Sequence, residues 1–292
     1  MRSRNYFFYS KYQILFVMLE AKFIEGSLFK KIFEAVKDIL NESRMEFDEN
    51  GLYLHAMDSS HVTLVSLSLQ RELFEKYSCS RNISLGVNLT SMMKILKCSS
   101  SDESVSITTD GTDTIVFVFN GSNMQSEYEM KLIDLECDRI EIPDPSYKYF
   151  ISLHSSELSK ICRDLSSFGD TMTISCNKES VSFSITGDVG KGNIVIKNSG
   201  GVSITHNGTE DKGEPIVLSF SLRYFNLFMK AAPLSSNVTI YLGNEDPLSI
   251  SFFYLFFLIY FPSSFLNQQV LEYRIGSGGY LKYYLAPKIQ DV

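Results

Sequence analysis

The order of hydrophobic periodicities constrains this chain more than any other feature. Apolar residues recur at helical spacing over 27–41 (Leu28, Ile32, Phe33, Ala35, Val36, Ile39, Leu40), with Gly26-Ser27 as a start, and again over 89–98, 155–165 and 222–232. Between these stretches lie short period-two runs at 51–57, 62–69, 104–108, 114–119, 171–176, 181–185, 193–197 and 238–242. The order helix, strands, helix, strands therefore occurs twice, and 89–119 and 222–275 read as divergent copies of one unit. A helix with one apolar stripe needs an apolar sheet face to cover it. Each half is therefore expected to be an α+β domain with helices on one face of antiparallel sheets. Locally, Asn88 predicts a helix cap, Asp110-Gly111 a turn, and the phase slip at Leu64-Val65 a bulge.

With 292 residues there is chain enough for two such cores. The segment 132–148 carries Asp134, Glu136, Asp138, Glu141 and Asp144 with Pro143 and Pro145, a composition suited to an extended connector. The expected division is an N-terminal domain over 18–131, the connector over 132–148 and a C-terminal domain over 149–292. In residues 1–17, Arg2, Arg4 and Lys11 accompany apolar Phe7, Phe8 and Ile14, but Ser10 and Lys11 break the stretch and no A-x-A site follows. It reads as a disordered leader, not a secretory signal.

Five cysteines without a CxxC pair suit a reducing compartment better than a disulfide framework. No GxxxxGK[ST], HExxH or CxxC occurs, and 187–192 is not a dinucleotide fingerprint. The four histidines (55, 61, 154, 206) show no ligand spacing. No catalytic residues, metal site or cofactor are expected.

Net charge is −7, which taken as a whole argues against nucleic acid. The charge is segregated, however. The four helical segments hold Lys30, Lys31, Lys37, Lys94, Lys97, Lys160, Arg163, Arg223 and Lys230 against only Glu34, Asp38, Glu157 and Asp164, so they sum to +5 and the remainder to −12. Spacings of three or seven residues put 94 with 97, 160 with 163, 223 with 230 and 30 with 37 on nearly one face. Each pair alone is an ordinary solvated face; four together in an acidic chain predict a cationic stripe that contacts duplex phosphates without reading bases. The stripe lacks the interleaved aromatics that single-strand stacking needs.

Several runs carry a resemblance. The stretch Leu54-His55-Ala56-Met57-Asp58-Ser59-Ser60-His61-Val62 resembles the most characteristic segment of eukaryotic proliferating cell nuclear antigen, and 86–92 (GVNLTSM) resembles the opening of that family's second helix. The runs at 128–132, 161–165 and 283–289 are similar too, and the likeness extends from Met18 to Ile289 apart from one block. The resemblance implies a homotrimeric, pseudo-sixfold, head-to-tail ring around double-stranded DNA in the nucleus, with helices lining the hole. It implies a DNA sliding clamp, a processivity factor for DNA polymerase and a docking platform for replication and repair proteins, including ligase and nuclease partners, loaded by a separate ATP-dependent clamp loader. A checkpoint-type clamp relative in a hetero-oligomer is the alternative. Neither reading involves a membrane.

The resemblance also assigns residues. A partner groove would be built from Met57, His61, Val62, Leu64, Ile142, Pro247, Tyr284, Ala286, Pro287 and Ile289. The subunit interface would join the strand near Tyr128 to Asn193, Ile194, Val195, Ile196 and Lys197 of the next copy, and Lys178 would be a modification site. Residues 120–127 look slightly short and lack a lysine. The largest departure is an apolar insertion at 249–269, which separates Pro247-Leu248 from Val270–Ile275, where the family's strand continues. The twelve residues 250–261 would reach about 18 Å as a helix, well short of a hydrocarbon core of about 30 Å. The block reads like translated noncoding sequence, and as part of a folded chain it would be an exposed apolar patch.

Overall fold

A computed structural model of the chain describes residues 18–23, 25–135, 147–207, 215–243, 248–254 and 278–288. The leader expected over 1–17 lies outside these, as does most of the connector. The N-terminal half runs β1 (Leu19–Phe23), α1 (Gly26–Val36), β2 (Glu42–Phe47), β3 (Gly51–Met57), β4 (Thr63–Gln70), β5 (Phe74–Cys79), β6 (Ile83–Asn88), α2 (Leu89–Leu96), β7 (Ser104–Thr109), β8 (Thr114–Asn120) and β9 (Gln125–Lys131). The C-terminal half runs β10 (Tyr149–His154), α3 (Ser155–Leu165), β11 (Thr171–Cys176), β12 (Ser180–Gly187), β13 (Gly190–Lys197), β14 (Ser203–His206), β15 (Ile216–Ser221), α4 (Leu222–Phe228), β16 (Asn237–Leu242), β17 (Leu248–Tyr254) and β18 (Gly279–Leu285). The halves match element for element, which is the internal repeat that the periodicities predict.

Each half holds one five-stranded and one four-stranded antiparallel arrangement. The orders are β5-β1-β7-β8-β9 and β6-β2-β3-β4 in the first half, and β14-β10-β16-β17-β18 and β13-β12-β11-β15 in the second. The halves are joined by β18, which pairs with β4 from Gly279 opposite Leu69 to Leu285 opposite Thr63. The N-terminal four and the C-terminal five thereby fuse into one nine-stranded sheet. Gly279 is required at this seam, since a Cβ there would stand 2.4 Å from the Ser68 carbonyl oxygen.

The seam explains the phase slip at Leu64-Val65. The ladders on both sides of β4 run without a shift, so there is no bulge. Instead β4 is central, and every residue from Thr63 to Leu69 is buried, because one face meets the helices and the other is covered as well. A strand buried on both faces has no reason to alternate.

The helices cover the inner sheet faces. In α1 the apolar Leu28, Phe29, Ile32, Phe33, Ala35 and Val36 are buried, and in α2 Asn88 caps the helix by accepting the Ser91 amide at 2.9 Å. Three helices end earlier than their periodicity suggests, the second by two residues at Leu96. The first gives way to a turn after Val36, and the fourth changes at Phe228 into a 3-10 turn (Met229–Leu234) that contains Pro233, which cannot continue an α-helix. This 3-10 turn packs on α1, α3 and α4, while α1 packs on α2 and α3 on α4, so the helices of both halves form one layer. Tyr283 pins that layer to the seam: fully buried, it stacks on Phe228 at 4.4 Å and donates to the Ala35 carbonyl at 3.2 Å.

The insertion is not set apart from the fold in the way its sequence suggests. Its first residues, 249–254, continue from Leu248 as β17, paired with β16 on one side and β18 on the other. They occupy the slot expected for Val270–Ile275. Ile250, opposite both Ile240 and Tyr283, is fully buried. The physical reason is pattern: Leu248, Ile250, Phe252 and Tyr254 alternate with the period of a strand. The rest of the block lies outside the described residues.

Because Ile250 fills core, Ile250→Ala should lower stability by about 2–4 kcal/mol in chemical denaturation. A looped-out insertion would leave the midpoint unchanged.

Candidate nucleic-acid interface and partner groove

The nine helix cations share the single helix layer. Lys31, Lys94, Lys97, Lys160, Arg163, Arg223 and Lys230 are exposed, while Lys30 and Lys37 are half-buried. They are not equivalent. Lys30 Nζ lies 3.5 Å from the Ser99 carbonyl. Asp38 is approached by Lys37 at 3.3 Å and more closely by Lys230, which reaches it from the other half of the molecule. The Lys230 contact holds the Asp38 carboxyl below its ordinary range, against the upward push of burial. The charge of this pair is therefore partly committed within the layer, and among the described residues the cations outside these contacts are Lys31 on α1 and those on or just after α2, on α3 and at the start of α4.

The groove residues gather at the outer end of the seam. Met57 pairs with Leu64 across the β3–β4 hairpin, Leu64 pairs with Tyr284 of β18, and the Ala286 amide donates to the Val62 carbonyl at 3.0 Å. His61, exposed in the turn, and Pro287, half-buried beyond β18, complete the cluster. Leu64 and Tyr284 are buried and form its floor, whereas Met57 is 43% exposed. Beside them Lys282 lies over the rings of Tyr241, Tyr280 and Tyr284 at 5.4, 5.8 and 5.8 Å, and burial lowers its pKa. Ile142, Pro247 and Ile289 lie outside the described residues.

The turn at 58–62 is organised by a carboxylate that the residue assignments passed over. Asp58 Oδ1 accepts the Val62 and Thr63 amides at 2.9 and 2.8 Å. Its Oδ2 accepts the Ser60 amide at 3.3 Å, the Ser60 hydroxyl, and the Tyr224 hydroxyl at 2.8 Å. Burial pushes the Asp58 carboxyl up, but the bonds from Ser60, Thr63, Tyr224 and Val62 outweigh it and hold it at about 2. The hub also holds His61 at φ 55°, a left-handed conformation that is strained without glycine. An Asp followed by two serines between strands is a recognisable turn former; Tyr224, 166 residues away, carries no such sign.

The connector starts alongside β6, the end strand of the nine-stranded sheet. The Ile133 amide donates to the Gly86 carbonyl at 2.9 Å, Arg44 donates to the Leu135 carbonyl, and a Cβ at Gly86 would come within 2.0 Å of the Ile133 oxygen. Glycine is thus needed for the chain to pass this close.

The expected interface residues lie on two open edges. β9 and β13 each end a sheet and have one described neighbour, β8 and β12. Tyr128 is half-buried against Phe119, with ring centroids 5.5 Å apart. Along β13, Asn193, Val195 and Lys197 are exposed, while Ile194 and Ile196 turn inward. Lys178 is exposed in the turn between β11 and β12, where Asn177 accepts the Glu179 and Ser180 amides at 2.9 and 2.8 Å.

Residues 18–140 match the family model for proliferating cell nuclear antigen, N-terminal domain, and residues 141–265 match the one for its C-terminal domain. The chain belongs to the proliferating cell nuclear antigen family. It is a two-domain α+β DNA sliding clamp of the class that serves DNA replication and repair as a scaffold. The boundary between the matches falls inside the connector, and the second match includes β17. Among the described residues no three His, Cys, Asp or Glu side chains gather as a metal site would need, and no helix is long and apolar enough to cross a membrane.

The Asp58 hub makes a pH prediction for this clamp. A depressed carboxylate contributes stability that is complete above about pH 4 and is lost as pH falls toward 2, here on the order of 2 kcal/mol. The amide resonances of Val62 and Thr63 should titrate with a midpoint near 2, and Asp58→Asn should abolish that step.

Proposed function

We propose that this clamp closes as a head-to-tail homotrimer around double-stranded DNA in the nucleus. In that state it acts as a processivity factor for DNA polymerase and a docking platform for ligase and nuclease partners. The observation that carries the reading is the arithmetic of the sheets. Within the chain, a C-terminal five joins an N-terminal four through β18 and β4. An N-terminal five and a C-terminal four are left with open edges at β9 and β13, the elements equivalent by repeat to β18 and β4. Repeating the internal seam between copies pairs β9 with β13 of the next chain, a heterologous contact that propagates in one direction and ends only by closing. It also covers two edges that would otherwise invite aggregation. Three copies is the number the family resemblance implies.

The internal seam suggests a register as well. Tyr284 faces Leu64, and following the ladders of the two repeats equates Tyr284 with Glu129 and Leu64 with Lys191. Glu129 then faces Lys191, and both point away from the core, as the two-residue period requires. Opposite charges on the two edges of a single chain favour self-assembly over assembly with different subunits.

A closed ring holds duplex topologically, so the helix cations need supply only weak, sequence-independent contact. Nothing in the described residues resembles a nucleotide site, which fits opening by a separate ATP-dependent loader. Docking by short segments with apolar and aromatic anchors suits a groove with a buried Leu64 and Tyr284 floor and an exposed Met57 rim. Lys178, in an exposed turn, is the proposed modification site.

Light scattering should give three times the 33.2 kDa chain mass. Glu129→Lys or Lys191→Glu alone should weaken assembly at least about tenfold, and the two together should restore it; a stable wild-type monomer would refute the ring. Separately, replacing Lys94, Arg163 and Arg223 with alanine should lower duplex affinity and flatten its salt dependence with the trimer intact. An unchanged salt slope would remove the role given to the stripe.

A further inference from the structure

The turn that carries His61 and Val62 belongs to the N-terminal half, yet one of its hydrogen-bond donors comes from the C-terminal half. Tyr224 lies on α4 immediately after Arg223, one of the exposed cations of the helix layer. Its hydroxyl reaches both Asp58 Oδ2 at 2.8 Å and the Ser60 hydroxyl at 2.7 Å. Its ring lies 6.3 Å from that of Phe228, which stacks in turn on Tyr283 of the seam. A phenol held by its own helix thus donates to the carboxylate that sets the turn's conformation.

The consequence follows from what the turn must maintain. With His61 at φ 55° the turn is strained, and strained backbone persists only where its surroundings over-determine it. Asp58 supplies the local part of that constraint through the Ser60, Val62 and Thr63 amides. Tyr224 supplies the part that depends on where α4 sits. We infer that Tyr224 is a positioning residue for the partner groove: through the Asp58–Ser60 hub it couples the DNA-facing helix α4 to the His61–Val62 turn, so that duplex contact at Arg223 and partner docking are felt by one another. Such a coupling acts in both directions. The inference rests on the groove and stripe readings above.

The test uses the full-length protein and Tyr224→Phe, which removes the hydroxyl and keeps the ring. Amide exchange at Val62 and Thr63 should accelerate by about tenfold in the free variant, the scale of one lost bond to a charged acceptor. Adding duplex should change that exchange in the wild type and leave it unchanged in the variant. Binding of a fluorescein-labelled synthetic peptide with an aliphatic and an aromatic anchor should weaken several-fold, while ring mass and melting temperature hold. Unchanged exchange at Val62 and Thr63 in the free variant overturns the inference, as does an identical response to duplex in both proteins. A wild type that binds no peptide but shows the exchange differences defeats the groove reading and leaves the positioning role standing. Should Tyr224→Phe lower the melting temperature, Ser60→Ala opens the same hub from the other side. Faster exchange at Val62 with melting unchanged then supports the assignment, and unchanged exchange rejects it.

Discussion

The antiparallel pairing of β18 with β4 is the contact on which the rest of the molecule depends. It joins the two halves into one sheet and makes β4 a central strand. It brings Tyr283 under the helices, where the ring stacks on Phe228 and the hydroxyl reaches Ala35 across the domain boundary. The same pairing makes the groove, because Leu64 and Tyr284 are cross-strand partners at its end. A seam of backbone hydrogen bonds is directional and tolerates few registers, so both surfaces inherit a fixed geometry from it.

Charge is unevenly distributed along the chain. The chain is acidic overall, while the helices and the turns that end them are cationic. Not all of that positive charge is available to phosphates. Asp38 engages Lys37 and Lys230, a contact that ties the 3-10 turn of one half to the end of α1 in the other. These partly exposed pairs are individually weak. The hub at Asp58 differs in kind: a buried carboxylate with several donors is held firmly ionised and sets local backbone shape.

Much of the local structure was legible from periodicity. The four helices, the Asn88 cap and eight of the eighteen described strands follow from spacing 3.6 or 2 and from turn residues. The departures have specific causes. The slip at Leu64-Val65 came from burial on both faces, which periodicity cannot separate from a bulge. The shortened fourth helix follows from Pro233. At the start of the apolar block, aromatic density masks a strand alternation in which Ile250 is fully buried. Among site residues, a motif run pointed to the turn at 57–62, but Tyr224 carried no signal, since a hydroxyl's partner across 166 residues depends only on how two domains meet.

The sequence by itself determined the repeat, the segregation of positive charge onto the helices and the two-domain α+β class, since these rest on side-chain chemistry ordered along the chain. Tertiary structure alone decided that the halves share a nine-stranded sheet, that β9 and β13 lie at sheet ends, which cations are already engaged, and that Asp58 answers to Tyr224. Those outcomes are long-range pairings, and a strand's edge or a carboxylate looks the same in sequence whichever partner it finds.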